Sequence, residues 1–258
     1  MILAVDIGNS NIVVGCIDSE KTYFVERLST DRAKTDLEYA INLKIILDMY
    51  HISPEDLEGG IISSVVPPIS SVVKRSVEKI LKKEALLVGP GIKTGLNIKI
   101  DNPGQLGSDL VVDAVAAIYE YPTPLIVIDM GTATTMSAID KAGQYLGGAI
   151  IPGLRVSLDS LTTRTSQLPR VSLEAPRHAI GKNTIECMKS GAILGNAALL
   201  DGMIDRFQEE LGGDATVVAT GGLIPFIAPH CRHRILCDDK LLLKGLWILY
   251  QKNQKPAL

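Results

Sequence analysis

Leu3-Ala4-Val5-Asp6-Ile7-Gly8-Asn9-Ser10-Asn11 is echoed 123 positions later by Ile126-Val127-Ile128-Asp129-Met130-Gly131-Thr132-Ala133-Thr134. Each segment runs an apolar stretch into Asp-x-Gly, then small polar residues, then a second apolar stretch, residues 12–17 in one case and 135–139 in the other. That pattern is a strand, a turn and a returning strand. Glycine in the turn takes positive φ at no steric cost and lets a ligand approach the backbone. A spacing of this length lies far beyond the roughly 20–50 residues of a solenoid repeat. It predicts a duplicated domain, each half opening with a β-hairpin.

Between the hairpins helix and strand signals alternate. Thr35-Asp36-Leu37-Glu38 has the form of a capping box, and Leu37, Ile41, Ile45 and Met49 recur every four residues, so a helix is expected there. Residues 60–66 read as a buried strand ended by Pro67-Pro68, residues 72–83 as a basic-faced helix, and residues 85–88 as another strand. The second half repeats the theme with a long helix over about 183–211, a strand at 215–219 and a helix near 241–250. Strands alternating with helices imply an α/β architecture with helices covering mixed sheets. Tyr121-Pro122-Thr123-Pro124 interrupts the helical pattern, which puts the boundary at residues 119–124 and the halves at 1–118 and 119–258.

At 258 residues the chain is long enough to bury a core without staples. Apolar residues make up 46% and charged residues 21%, an ordinary globular balance that excludes a disordered tail protein. Lys and Arg total 26 against 29 Asp and Glu, and the aromatics are Trp 1, Tyr 7 and Phe 3. With neither a basic surplus nor a base-stacking platform, a nucleic-acid partner is not expected. Residues 1–5 lack the positive flank of a signal peptide, and residues 215–229 are broken by Gly221-Gly222 and Pro225, so neither export nor a membrane span is expected. Cys16, Cys187, Cys231 and Cys237 form no Cys-x-x-Cys pair, which suits a reducing, cytoplasmic setting.

Several site signatures can be set aside. His230-Cys231-Arg232-His233 with Cys237 matches no common zinc spacing and carries arginines that oppose a cation. Ile180-Gly181-Lys182-Asn183-Thr184 looks like a P-loop, but Pro176 stands where the first glycine belongs and Asn183 where Ser or Thr would bind magnesium. No Gly-x-Gly-x-x-Gly follows a strand.

What remains suits a polyphosphate and its cation. Backbone N–H groups and hydroxyls at the turns can hold phosphate oxygens, while Asp6 and Asp129 can hold metal ions directly or through water. Taken singly, each aspartate could equally be a turn residue bonding local amides. Gly221-Gly222, leaving the strand at 216–218, would let a flat nucleobase lie against backbone. Ser108 reads as the N-cap of a buried helix with Asp109 in its first turn, where the helix dipole favours an ionised carboxylate able to accept a proton. Asp109 could also be no more than a complement to that dipole.

Together, Asp6-Ile7-Gly8-Asn9-Ser10, Gly107-Ser108-Asp109, Asp129-Met130-Gly131-Thr132-Ala133-Thr134 and Gly147-Gly148-Ala149-Ile150-Ile151-Pro152-Gly153 resemble type III pantothenate kinase. That family belongs with the acetate and sugar kinases, Hsp70 and actin. The likeness extends through Lys93-Thr94-Gly95-Leu96-Asn97, Leu168-Pro169-Arg170, Gly181-Lys182-Asn183-Thr184-Ile185-Glu186 and Thr220-Gly221-Gly222-Leu223, covering essentially the whole chain.

The resemblance implies duplicated ribonuclease H-like (actin-like ATPase) domains with mixed five-stranded sheets flanked by helices. It implies ATP-dependent phosphorylation of the primary hydroxyl of pantothenate, with Mg2+ and a monovalent cation (K+ or NH4+), by a homodimer. On this resemblance Asp6, Ile7, Gly8, Asn9, Ser10, Asn11, Ile12 and Val13 form the first phosphate loop, and Thr132, Gly221 and Gly222 also contact ATP. Asp109 is the general base. Gly107, Ser108, Asp109, Leu110, Ile100 and Thr184 line the pantothenate site, Asp129 holds the monovalent cation, and Asp6 holds magnesium, directly or through water. Two positions depart from the family pattern: Leu110 stands where arginine is usual, and Ile100 where tyrosine is common. Other readings are a nucleotide-binding regulator of the same fold and a kinase or phosphatase for another small substrate.

Overall fold

The computed structural model describes residues 1–254. In chain order its first elements are β1 (Ile2–Ile7), β2 (Asn11–Ile17), β3 (Thr22–Ser29), α1 (Asp36–Met49), β4 (Gly60–Ser64), α2 (Pro67–Leu81), β5 (Ala85–Leu87), β6 (Asn97–Ile98) and α3 (Ser108–Glu120). Then follow β7 (Leu125–Met130), β8 (Ala133–Ile139), β9 (Gln144–Pro152), α4 (Leu154–Arg164), α5 (Thr184–Leu211), β10 (Thr216–Thr220), α6 (Ile224–Ile227), β11 (Leu236–Cys237) and α7 (Leu241–Asn253). Among the described residues no helix is long and apolar enough to cross a membrane.

The chain forms two compact units. The first comprises Met1–Leu96, Asn102–Ala116 and the segment from Lys240 onward; the second comprises Asn97–Asp101 and Ala117–Asp239. They are therefore not the linear halves 1–118 and 119–258. The reason is burial: Leu243, Leu246 and Leu249 of α7 pack with Ile2, Ala4, Ile61, Val112 and Val115 of the first unit. A sequence boundary follows chain order, whereas apolar burial does not.

The first unit holds a mixed five-stranded sheet in the order β3-β2-β1-β4-β5, with β1 antiparallel to β2 and parallel to β4. Strand alternation sends Leu3, Val5 and Ile7 to the core beneath α1 and α2, and Ile2 and Ala4 to the core beneath α3 and α7. The second unit repeats the hairpin with β7 and β8, but its sheet has six strands rather than five, in the order β11-β10-β7-β8-β9-β6. The extra strand is β6, two residues that pair in parallel with β9. So short a run has no period for a sequence to display.

Two helices show how sequence pattern and structure relate. The expected capping box starts α1: the Glu38 backbone N–H donates to Thr35 Oγ1, and Glu38 Oε2 accepts from the Thr35 N–H at 2.8 Å. The face is another matter. Leu37, Ile41, Ile45 and Met49 are 49–65% exposed, while Tyr39, Leu43, Ile46 and Leu47 are buried. A strict four-residue row drifts about 40° around the helix at each step, so it cannot stay on a flat core; the 39, 43, 46, 47 spacing can. Helix α2 begins at Pro67 rather than near Val72. Prolines fit a first helical turn because their missing N–H has no intrahelical partner to lose.

Candidate active site

The turn between β1 and β2 is the first element of the site. The Gly8 N–H donates to the Asn11 carbonyl at 3.0 Å, and Thr30 braces the turn twice, through its N–H to Ser10 O (3.1 Å) and its hydroxyl to Gly8 O (2.7 Å). Asn9, Ser10 and Asn11 are exposed, whereas Asp6 is buried one residue before the strand ends. The result is a fixed, small-residue turn with a carboxylate beneath it.

Beside β1 in the same sheet, β4 carries Ser63 and Ser64 in parallel register with Asp6 and Ile7. These two serines meet the start of α3. Ser108 Oγ donates to Ser64 O at 2.9 Å, accepts from the Ser64 N–H at 3.0 Å, and lies 3.1 Å from Ser63 Oγ. Ser108 is therefore not the N-cap. The Val111 N–H donates to Gly107 O at 3.1 Å, so Gly107 occupies the position that opens the helix, and the Ser108 hydroxyl is spent on β4.

Asp109 follows in the first turn of α3. Its Oδ1 accepts the Leu110 N–H at 2.8 Å and folds back over Gly107, where any side chain would collide with it. Burial pushes the Asp109 carboxyl above the ordinary carboxylate value, and backbone N–H donation offsets this only in part. Leu110 is partly buried beside it. A desolvated carboxylate with a raised pKa, held on a helix N-terminus, is equipped to take a proton.

In the second unit Asp129 stands one residue before the end of β7, opposite Thr135 of β8 and Thr220 of β10. Here the repeat is not strict. The Gly131 N–H donates to Ala133 O at 3.0 Å, and Met130 pairs with Thr134, so this turn is one residue tighter than the first, where Ile7 pairs with Ile12. The loop after β10 closes on the same carboxylate. Gly221 has φ +97°, and a Cβ there would lie 2.6 Å from both Asp129 Oδ1 and Met130 O. Asp129 and the Met130 carbonyl thus pack directly against Gly221, where only a hydrogen fits. Gly222 has open space around it.

Thr184 begins α5, whose N-cap Asn183 accepts the Glu186 N–H at 2.9 Å. It lines a groove of about 320 Å³ with Leu154, Leu158, Leu161, Cys187 and Met188. Ile100 follows β6 and is partly buried. The structure thus joins the first turn to Asp109 through β4, and Asp129 to Gly221 through β10. Sequence reading gave Ser63 and Ser64 no role, though two hydroxyls ending an otherwise apolar buried strand are a usable signal, since buried polar groups require partners.

A model of type III pantothenate kinase matches residues 2–206. Type III pantothenate kinase of Brevibacillus brevis is 44% identical over 254 residues, covering 98% of this chain and 100% of that one. The enzyme of the same name from an Exiguobacterium species is 44% identical over 255 residues, covering 99% and 100%. Among solved structures, component A of (R)-2-hydroxyglutaryl-CoA dehydratase from Acidaminococcus fermentans matches with TM-score 0.56 and 14% identity over 98% of this chain and 99% of that one. An ROK hexokinase from Thermus thermophilus matches with TM-score 0.51 and 11% identity over 98% and 99%. At these identities the two structures speak to the fold alone.

Proposed function

The chain belongs to the type III pantothenate kinase family, and from that membership we propose which of its residues carry the reaction. It is a phosphotransferase that phosphorylates pantothenate to 4'-phosphopantothenate, the opening step of coenzyme A biosynthesis, and it uses ATP.

The turn at residues 6–13 cradles the ATP phosphates with backbone N–H groups and small hydroxyls. Thr132 contacts ATP from the second hairpin, and the Gly221-Gly222 loop receives the adenosine. Gly107, Ser108, Asp109, Leu110, Ile100 and Thr184 line the pantothenate site. Asp109 aligns the primary hydroxyl and accepts its proton as the oxygen bonds to the γ-phosphorus and the bond to the β-phosphate oxygen breaks, releasing ADP. Phosphoryl transfer asks the protein mainly for in-line placement and charge compensation. Asp129 would hold a monovalent cation, and Asp6 would hold Mg2+ directly or through water; when bound, these ions supply charge that offsets the phosphates. The enzyme acts as a homodimer in the cytoplasm. Exposed Leu161, Ile180 and Ile185 support the dimer, and the absence of a Cys-x-x-Cys pair suits a reducing compartment.

The observation that carries the assignment of roles is Asp109, a desolvated carboxylate tied through β4 to the hairpin turn. The test is transfer of labelled γ-phosphate from ATP to pantothenate offered among other small alcohols, in potassium and then in sodium. Label on pantothenate, faster in potassium, is the expected result. ATP hydrolysis with no labelled pantothenate would favour a nucleotide-binding regulator, and equal rates in the two salts would refute the cation role of Asp129.

A further inference from the structure

A serine hydroxyl has one proton to donate and two lone pairs to accept with. Ser108 uses all three. Its proton goes to Ser64 O at 2.9 Å, one lone pair takes the Ser64 N–H at 3.0 Å, and the other faces Ser63 Oγ at 3.1 Å. Because the Ser108 proton is committed to a carbonyl, Ser63 must be the donor in the third bond. Ser63 is fully buried, and its Cα partner across the parallel ladder is Asp6. The ladder continues past the strand end, where the Val65 N–H donates to Ile7 O at 3.0 Å.

The residue after Ser108 is Asp109, and the residue after Ile7 is Gly8 of the first turn. A short hydrogen-bonded path therefore runs from the phosphate turn through β1, across to β4, and through one saturated hydroxyl to the residue next to the base. Asp109 accepts backbone N–H groups, from Leu110 at 2.8 Å and from its own residue, so its distance from the phosphate turn depends on where this first turn of α3 is anchored. The Ser64 side chain is engaged elsewhere, accepting from the Val66 N–H at 3.1 Å and from Ser70 Oγ at 2.7 Å at the start of α2.

We propose that Ser63 and Ser108 are positioning residues, a hydroxyl clasp that sets Asp109 at its working distance from the phosphate turn. The proposal rests on Asp109 being the base. Any contact of position 108 with pantothenate then falls to its backbone.

The test is a kinetic cycle on the full-length enzyme with Ser108→Ala, Ser63→Ala, Asp109→Asn and the two serine–aspartate double variants. A displacement of about 1 Å can cost on the order of 10²-fold in rate. Ser108→Ala should lower kcat roughly 10- to 100-fold with the KM for ATP unchanged, and Ser108→Thr, which keeps the hydroxyl, should restore most of it. In the Asp109→Asn background neither serine substitution should slow the enzyme further. Serine effects that multiply undiminished with the Asp109→Asn effect would overturn the proposal, as would a wild-type kcat in both serine variants. Should Ser108→Ala fail to fold, Ser63→Ala removes a single donated bond and runs the same cycle. Failure of the underlying reading looks different: Asp109→Asn alone would keep wild-type turnover.

Discussion

Asp129 and Gly221 occupy space that a single added methyl group would dispute: a Cβ at position 221 would lie 2.6 Å from Asp129 Oδ1. The backbone there, at φ +97°, is one that side-chain-bearing residues rarely adopt. Gly221→Ala therefore meets two penalties, strain of about 1–3 kcal/mol and displacement of the carboxylate. The variant should melt lower, need more ATP for half-maximal rate and lose its preference for potassium over sodium. Gly222→Ala, with nothing within 4 Å, should stay within about 0.5 kcal/mol of wild type. Equal behaviour of the two variants would remove the link between the glycine loop and Asp129.

Asp109→Asn should abolish most transfer while ATP still binds, because the amide keeps the shape but cannot accept the proton; general-base contributions run to about 10²–10⁴-fold. Its stability should move the other way. A carboxyl whose folded pKa is raised contributes most to stability below its unfolded value, and that contribution is lost as pH rises through the folded value. At neutral pH the ionised group is a net cost, which asparagine does not carry. Melting curves should show the variant more stable than wild type at pH 7, the gap closing as the pH is lowered past the carboxylate range. A variant that is less stable at neutral pH would contradict the desolvation of Asp109.

Leu110 bears on substrate grip. If the polar end of pantothenate lacks a cationic partner in this chain, Leu110→Arg should lower KM for pantothenate with kcat largely kept, the signature of uniform binding. A charge-assisted hydrogen bond contributes about 1.5–3 kcal/mol, roughly 10- to 100-fold in KM. An unchanged KM with a lower melting temperature would mean that Leu110 serves only to pack the start of α3.

The two apolar rows of α1 should separate cleanly in denaturant. Leu43→Ala, in the buried row, should cost about 2–5 kcal/mol. Ile41→Gln, in the exposed row, should change the isolated chain by no more than about 0.5 kcal/mol. A large loss at Ile41 would show that another surface covers that row in solution.

The two hairpins and the start of α1 are legible because their signals are local. Asp-x-Gly in a strand–turn–strand context needs only nine consecutive residues, and the Thr35–Glu38 capping box needs four. The unread parts depend on partners distant in sequence. Ser108 has the composition of an N-cap, and only the arrival of Ser64, 44 positions earlier, turns its hydroxyl outward from the helix. Apolar residues nearly encircle α1, so period alone does not choose which of its rows is buried. The sixth strand of the second sheet is two residues long and exists only through its pairing with β9.

Helix α7 has a bearing on how the protein is made. It closes the core on one side of the first sheet, packing Leu246 and Leu249 against residues that include Ile2 and Ala4. During translation residues 2–4 emerge well before residues 241–253, which help to cover them. At about 5–20 residues per second, the stretch from residue 117 to residue 239 keeps the ribosome occupied for roughly 6–25 s. Through that interval β1 and β4, the strands that lead to the phosphate turn and to its link with Asp109, have one face covered by α3 but not by α7. Nascent chains should accordingly show protease-sensitive first strands until α7 has emerged, and activity should appear only once that helix is made.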